Sequence, residues 1–475
     1  MAKKQIIYGL NDTPPFPIMV LAGAQHVLTL FGATTLVPLI FGPAMGMNPE
    51  QLAKFIGCVY FGMGVATLIQ THSKLGTGLP IVQGSSFSFI PPIMTVIGAY
   101  SASGPETIMQ YVGGGLIVGG VLLSILGYTG LVGMIRKVIT PVVIGPTIMA
   151  IGFSLAPVAV DNASRFWPIS LLVVALIFIF SLVVQNKIVN IFAILCAILA
   201  AYLICVLVSR AGWVVAGHPV YVDFQNVADA PMWRTDILMP WGAPKFSFLA
   251  IGALLAGFFA VMIESIGDYH SCSYASGLED PTPEVISRGI GAEGFNCLIS
   301  GFLGSVGTTS YTENIGLISL TGVASRNVVR TGAVLLIGMS MLGKFGALVA
   351  TMPAPVIGGA YIALFGTIGA LGIQVLTRAD LSSQRNILVV GFAFLMALGV
   401  PNWVGQDAVQ KAFTDPSRGE LLATLGGMAW AILKTPMAVA GICAAFCDSL
   451  VPGSDLERGI SRREMGASPA QDENK

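Results

Sequence analysis

The chain has 475 residues, of which 54% are hydrophobic and 10% are charged, and its mean hydropathy is +0.80. Soluble domains carry roughly 25% charged residues, so this composition excludes an ordinary soluble domain and describes an integral membrane protein. Lys and Arg number 24, as do Asp and Glu, and a net charge of zero offers nothing to nucleic acid.

Apolar blocks follow one another along the chain near 17–41, 52–70, 80–99, 112–134, 138–157, 168–185, 189–209, 246–269, 285–304, 308–325, 328–350, 355–377, 386–401 and 419–449. A bilayer core takes about 20 apolar residues as helix, and most blocks reach that length. The fold expected is an all-α polytopic membrane protein of about fourteen spans. No cleavable leader is expected, because the first apolar stretch continues at spanning length without a small-residue cleavage site. Seven cysteines (Cys58, Cys196, Cys205, Cys272, Cys297, Cys443 and Cys447) are scattered, with no metal spacing or disulfide framework. Cys443 and Cys447, four apart, read as helix packing.

Charge placement supports an even number of spans. With the N-terminus inside, Lys3, Lys4, Lys74, Arg136, Lys137, Lys187, Arg288, Arg326, Arg330, Arg378, Arg385, Arg458, Arg462, Arg463 and Lys475 fall on the cytoplasmic side. Lys54, Arg165, Arg210, Arg234, Lys245, Lys411 and Arg418 fall outside. That excess follows the positive-inside rule. It predicts a multi-pass protein of the cell (inner) membrane with both termini cytoplasmic.

The longest connection, 210–245, divides the spans seven and seven. Seven is odd, so the halves insert in opposite orientation as an inverted repeat. The third span holds "LPIVQGSSFSFIPPI" (79–93) and the tenth "SVGTTSYTENIGLISLTG" (305–322), both rich in Gly, Ser and Thr. They recur at matching places, offset by roughly 230 residues, and paired interrupted spans in inverted halves point to a transport site. Irregular backbone in hydrocarbon is tolerated only where protein or a water-filled cavity covers it. Short extended pieces such as "QGSSFSF" and "TTSYTEN" are expected to pair across the centre. Each would feed a half-helix whose N-terminus presents free N–H groups and partial positive charge. A packing kink of small residues is the alternative; Glu313 and Asn314 weigh against it.

A second polar cluster lies in "FFAVMIESIGDYHSCSYASG" (258–277). Glu264 and Asp268 are i and i+4 and share one helix face. A carboxylate at the centre of a membrane helix costs about 2.5–3.5 kcal/mol on insertion scales and usually serves as a ligand or proton relay. Asp268 and His270 stand nearer the cytoplasmic end, where a solvated terminus competes as an explanation. Gln25 and His26 sit inside the first span; His26 either supports the site's hydrogen-bond network or is a buried histidine met by a neighbour. Glu106, Asp161, Asp223 and Glu279 fall in predicted loops.

These motifs resemble the nucleobase–ascorbate transporter family. Glu313, Asn314, Gly316, Thr321 and Gly322 of "TENIGLISLTG" (312–322) fit its signature: Gln or Glu, Asn, any residue, Gly, four residues, Thr, then a basic residue or Gly. "QH" (25–26), "ESIGDY" (264–269) and "GSSFSF" (84–89, containing Ser86) fit its first-, eighth- and third-helix motifs, and "SSQRN" (382–386) resembles a further segment. The resemblance runs from about residue 12 to 450.

The resemblance implies a proton-coupled nucleobase symporter that is not an enzyme, has no cofactor or metal, and often dimerises. Its segments would be a cytoplasmic N-terminus (1–16), a core domain (17–134 and 246–350), a gate domain (135–210 and 351–450), an extracellular loop (211–245) and a cytoplasmic tail (451–475). Glu264 and Glu313 would hold the base, Phe87 would stack on it, and backbone near Tyr311 and Thr312 would add hydrogen bonds. Asp268 would join the proton-coupling network, and His26 would support the third-span segment.

The chemistry agrees. Uracil and xanthine are flat, neutral, and present ring N–H donors beside carbonyls. A carboxylate accepts from N–H, half-helix N–H groups donate to carbonyls, and an aromatic ring covers the face. Gly316 would permit close backbone approach. A proton loaded on Glu264, or on the Glu264–Asp268 pair, would complete the donor pattern and link the two ligands reciprocally. Glu at 313 resembles uracil- and ascorbate-type members, whereas "ESIGDY" and "LTGVASR" (320–326) resemble the purine side. Uracil and xanthine or urate therefore stay level, with ascorbate behind them and Na⁺ coupling open. An anion exchanger should lack two central carboxylates, a channel has no need of paired broken spans, and no motif for a membrane enzyme is present.

Overall fold

The computed structural model describes residues 6–132, 139–415, 417 and 419–459. Of the residues used for charge placement, Lys3, Lys4, Arg136, Lys137, Arg418, Arg462, Arg463 and Lys475 lie outside the described residues, as does the start of the fifth predicted span.

Helices of eight or more residues are numbered in chain order. The first group is α1 (Phe16–Met45), α2 (Pro49–Gln70), α3 (Ile90–Ala99), α4 (Pro105–Tyr128), α5 (Pro141–Ser154), α6 (Ala156–Ser164), α7 (Trp167–Phe178) and α8 (Ala193–Arg210). After the long connection come α9 (Phe248–Ala275), α10 (Pro283–Phe302), α11 (Thr312–Thr321), α12 (Arg326–Ser340) and α13 (Gly343–Ala350). The last four are α14 (Ala354–Leu376), α15 (Gln384–Val404), α16 (Glu420–Leu433) and α17 (Pro436–Leu450). Local sequence sets many starts. Asn48 and Gln51 form a capping box at α2, Thr282 caps α10 ahead of Pro283, and Ser325 caps α12.

Among the described residues, eight helical segments are long and apolar enough to cross a membrane: α1, α2, α4, α5 continued through α6 (141–164), α8, α9, α14 and α15. Leu421–Leu433 and Pro436–Leu450, bent by 90°, add a ninth if they act as one span. The chain is thus a mostly helical, multi-pass membrane protein. The blocks around 87–99 and 167–183 are helical but shorter, and α10 is diluted by Arg288, Glu293 and Asn296.

Among the described residues, two three-residue strands lie in this helical bundle: β1 (Gln83–Ser85) and β2 (Thr308–Ser310). They pair antiparallel, with Gln83 opposite Ser310, Gly84 opposite Thr309 and Ser85 opposite Thr308. Every strand residue is buried, so the pair satisfies backbone groups that no water reaches. β1 rests on α2, and β2 lies against α9 and α10.

Helices close around the strands because small residues let backbones meet. On the α4–α10 contact, a Cβ at Gly113 would stand 2.9 Å from Gly301 O, and one at Gly127 would stand 2.1 Å from Gly291 N. Close approach of this kind replaces the hydrophobic drive that lipid does not provide. Elsewhere α14 packs on α5, α6 and α7, and α15 and α17 pack on each other and on α5.

Candidate functional site

The site is built where the two strands hand over to helices. After β1, Ser86 accepts from Ser88 N (3.2 Å) and opens a short turn, Phe87–Phe89, that runs into α3. After β2, Tyr311 leads into α11, whose N-terminus has no side-chain cap. No N-cap side chain meets the first-turn N–H groups of α11, and Glu313 stands in that same turn.

Helix α9 joins the two handovers. Ser88 Oγ donates to Glu264 Oε2 at 3.3 Å, and Thr312 Oγ1 donates to Asp268 Oδ1 at 2.8 Å. One turn of α9 thus holds a carboxylate against the segment that follows each strand. Glu264 and Glu313 lie within electrostatic reach of each other. Glu313 also lines an open cleft between α1, α8 and α14, among Thr29, Ile194 and Leu364. Phe87 is half-buried and meets Phe365 of α14 edge-on, with centroids 6.1 Å apart. Phe365 stacks in turn on Tyr361, whose hydroxyl donates to Leu36 O (2.6 Å).

Other residues named from sequence occupy different places. Asn314 is buried and its amide reaches His26 Nδ1 (3.1 Å) and His26 O (2.9 Å). His26 therefore braces α11 against α1, and neither Glu264 nor Asp268 is among its hydrogen-bond partners. The Tyr311 backbone N–H is consumed by Val82 O (3.0 Å), which extends the strand pairing. Its ring lies over Gly84, where a Cβ would come within 2.2 Å, and its hydroxyl reaches Thr34 Oγ1 and Ser85 O. Tyr311 supports the strands rather than offering a free donor. A Cβ at Gly316 would meet open space, so no protein segment packs closely on that glycine. His270 lies in the last turns of α9, with Nδ1 3.5 Å from Asp280 Oδ1 and an enclosed Nε2 that has no partner among the described residues.

The sequence reading passed over Glu293. This α10 carboxylate is fully buried, and its Oε1 accepts from Ser310 Oγ (2.9 Å), Ser265 Oγ (3.0 Å), Gln83 Nε2 (3.1 Å), Tyr269 OH (3.2 Å) and Gln70 Nε2 (3.5 Å). It ties both strands to α2 and α9 through one atom. Its signal was the one that marked Glu264, an acidic residue in the middle of an apolar block. Phe365 carried no such signal, since a phenylalanine in an apolar helix is unremarked.

The permease family model Xan_ur_permease matches residues 17–405. The chain belongs to the nucleobase–ascorbate transporter family. The transporter is 31% identical over 513 residues to solute carrier family 23 member 2 of Mus musculus, covering 98% of this chain and 78% of that one. Nucleobase-ascorbate transporter 6 of Arabidopsis thaliana is 32% identical over 429 residues, 86% and 80% of the two chains. Among solved structures, the transmembrane domain of the cyanobacterial bicarbonate transporter BicA has a TM-score of 0.54 at 14% identity, covering 90% of this chain and all of that one. SLC26A9 gives 0.56 at 10% identity, covering 80% and 62%. At such identities these two show the fold alone. The relatives are transporters, and so is this protein; it is not an enzyme.

Proposed function

We propose that the transporter imports a nucleobase of the uracil or xanthine/urate type by proton symport. The observation that carries this reading is that α9 holds Glu264 and Asp268 one turn apart, each bonded to the segment that follows a different strand. A flat base seated there would give its ring N–H to Glu264 and its carbonyl to the uncapped first turn of α11. Phe87 would cover one face, and Phe365 would back the Phe87 ring edge-on. Glu313, opening on the cleft, would complete the acceptor set.

Coupling follows from the same contacts. A proton on Glu264 or on the Glu264–Asp268 pair changes an acceptor into a donor, so proton and base each alter the other's affinity. Two carboxylates beside the α11 N-terminus oppose an anionic substrate unless one is protonated, which favours a neutral base such as uracil or xanthine over the urate or ascorbate anion.

The proposed architecture has fourteen spans in two inverted sevens, with 17–134 and 246–350 as the core and 135–210 and 351–450 as the gate. The Phe87–Phe365 contact would then lie on the plane along which core and gate slide. Lys54 and Arg234 meet on Asp236, and Arg288 and Arg330 both donate to the loop after α2, as residues on a common side would. Both termini would be cytoplasmic, in the inner membrane, with a homodimer through the gate.

Uptake of radiolabelled uracil, xanthine, urate and ascorbate, each with and without a protonophore, tests the reading. Accumulation of a nucleobase that collapses with the protonophore is expected. Ascorbate uptake without nucleobase uptake or competition would overturn it.

A further inference from the structure

Three arginines from two helices converge on the loop 71–78, which connects α2 to β1. Arg288 Nε donates to Gly76 O (2.6 Å), and Arg330 donates to Thr71 O (2.9 Å) and Thr71 Oγ1 (3.3 Å). A Cβ at Gly78 would stand 3.6 Å from Arg326 Nη1. The loop adds its own exposed Lys74, whose ammonium makes no hydrogen bond among the described residues.

Positive charge gathers here without compensation. Among the described residues no carboxylate comes within 4.0 Å of any of these four cations, whereas Arg234, Arg385 and Arg458 each meet one. Arg326 and Arg330 are i and i+4 on α12, a repulsive spacing. Both stand in the first turns of α12, at the positive end of its dipole, with no acidic residue in the first turn. The enclosed Arg326 Nε has no partner. Neutral carbonyls satisfy hydrogen bonds but leave the charge, so the chemistry that completes this cluster is an anion.

The cluster has an apolar margin. Tyr128, at the end of α4, donates to Leu75 O (2.8 Å) and lies within electrostatic reach of Arg288. Leu75 and Tyr128 are 46% and 47% exposed, and tyrosine at a helix end suits the membrane–water interface. We propose that Arg288, Arg326, Arg330 and Lys74 hold the phosphate headgroup of an anionic phospholipid, whose acyl chain lies along Leu75 and Tyr128. Basic pockets between helices on the cytoplasmic side take such headgroups. Because the loop continues into β1, an occupied cluster would also fix the strand that carries Gln83.

Native mass spectrometry of the full chain in mild detergent, titrated with phosphatidylglycerol and with phosphatidylcholine, tests this. The wild type should prefer phosphatidylglycerol by about tenfold or more, and Lys74→Gln should weaken that binding by about fivefold. The Arg326→Gln/Arg330→Gln variant should abolish the preference; if it fails to fold, Lys74→Gln still decides, since that side chain holds nothing in place. Folded variants that bind phosphatidylglycerol as the wild type does would overturn the proposal. Displacement of the lipid by an equal concentration of inorganic phosphate would overturn it too, and would assign the cluster to a soluble anion.

Discussion

Thr312 donates its hydroxyl to Asp268 Oδ1 across 2.8 Å, fastening the first residue of α11 to a carboxylate on α9. Asp268 is only 5% exposed, and its Oδ2 has no partner among the described residues. Thr312 thus supplies the one side-chain hydrogen bond that Asp268 receives. Thr312→Val keeps the shape and removes the donor, leaving a buried acceptor unmet at a cost of about 1–3 kcal/mol. Thermal melting in detergent should show that loss, and Thr312→Ser should recover most of it. In transport, the Val variant should raise KM for the substrate, because α11 is no longer held at its angle to α9. Unchanged melting and unchanged KM would mean that Asp268 finds water instead.

Glu293 separates an acceptor role from a charge role. Glu293→Gln keeps an oxygen where five donors converge, so folded transporter should still be recovered. Glu293→Ala strands those donors in a region closed to water, and several unmet groups at about 1–3 kcal/mol each exceed what a membrane bundle tolerates. Fluorescence-detected size exclusion should therefore show a monodisperse peak for the Gln variant and loss or aggregation for Ala. A well-folded Ala variant would show that the strands hold together without α10.

The carboxylates of α9 and α11 were legible in sequence because charge in an apolar block is costly and needs a reason. Extended pieces were legible too, since "QGSSFSF" and "TTSYTEN" combine weak helix formers with the need to pair buried backbone. Partners were not legible. His26 and Asn314 meet across 288 positions, a distance over which no local spacing rule reaches. Tyr311 was named through its neighbours in the motif, yet the pairing of its N–H with Val82 and the packing of its ring on Gly84 depend on the strand register. Glu293 shows a different failure: its signal was present, but span nine was read only for its apolar length.

Two glycines of the site regions should respond in opposite ways to alanine. At Gly84 a methyl group would lie 2.2 Å from the Tyr311 ring, and β1 cannot shift without breaking its pairing with β2. Gly84→Ala should lower the melting temperature sharply and abolish uptake. At Gly316 the methyl group meets open space on one face of α11, and alanine is favoured over glycine in a helix by about 1 kcal/mol. Gly316→Ala should melt no lower than the wild type. Uptake by this variant then reports whether substrate needs that space: lost uptake with intact melting would place ligand against α11 at this point.

The connection between α8 and α9 should show an acid-dependent stability. Lys54 Nζ sits 2.9 Å from Asp236 Oδ2, and the Arg234 guanidinium reaches Asp236 Oδ1 at 3.4 Å. Partial burial pushes the Asp236 carboxyl up, but the Lys54 hydrogen bond and the charges of Arg234 and Lys54 outweigh it and hold the group below its usual range. A carboxylate with a depressed folded-state pKa stabilises the fold at pH above the unfolded value, near about 3.9, and loses that contribution as pH falls through the lower folded value. Melting temperatures of wild type and Asp236→Asn should therefore differ most at neutral pH and converge as pH falls below about 4. The difference should also shrink in high salt, because Asp236 is 40% exposed and its ion pairs are open to screening. A gap that stays constant down to pH 3 would place the effect of the substitution in packing rather than in charge.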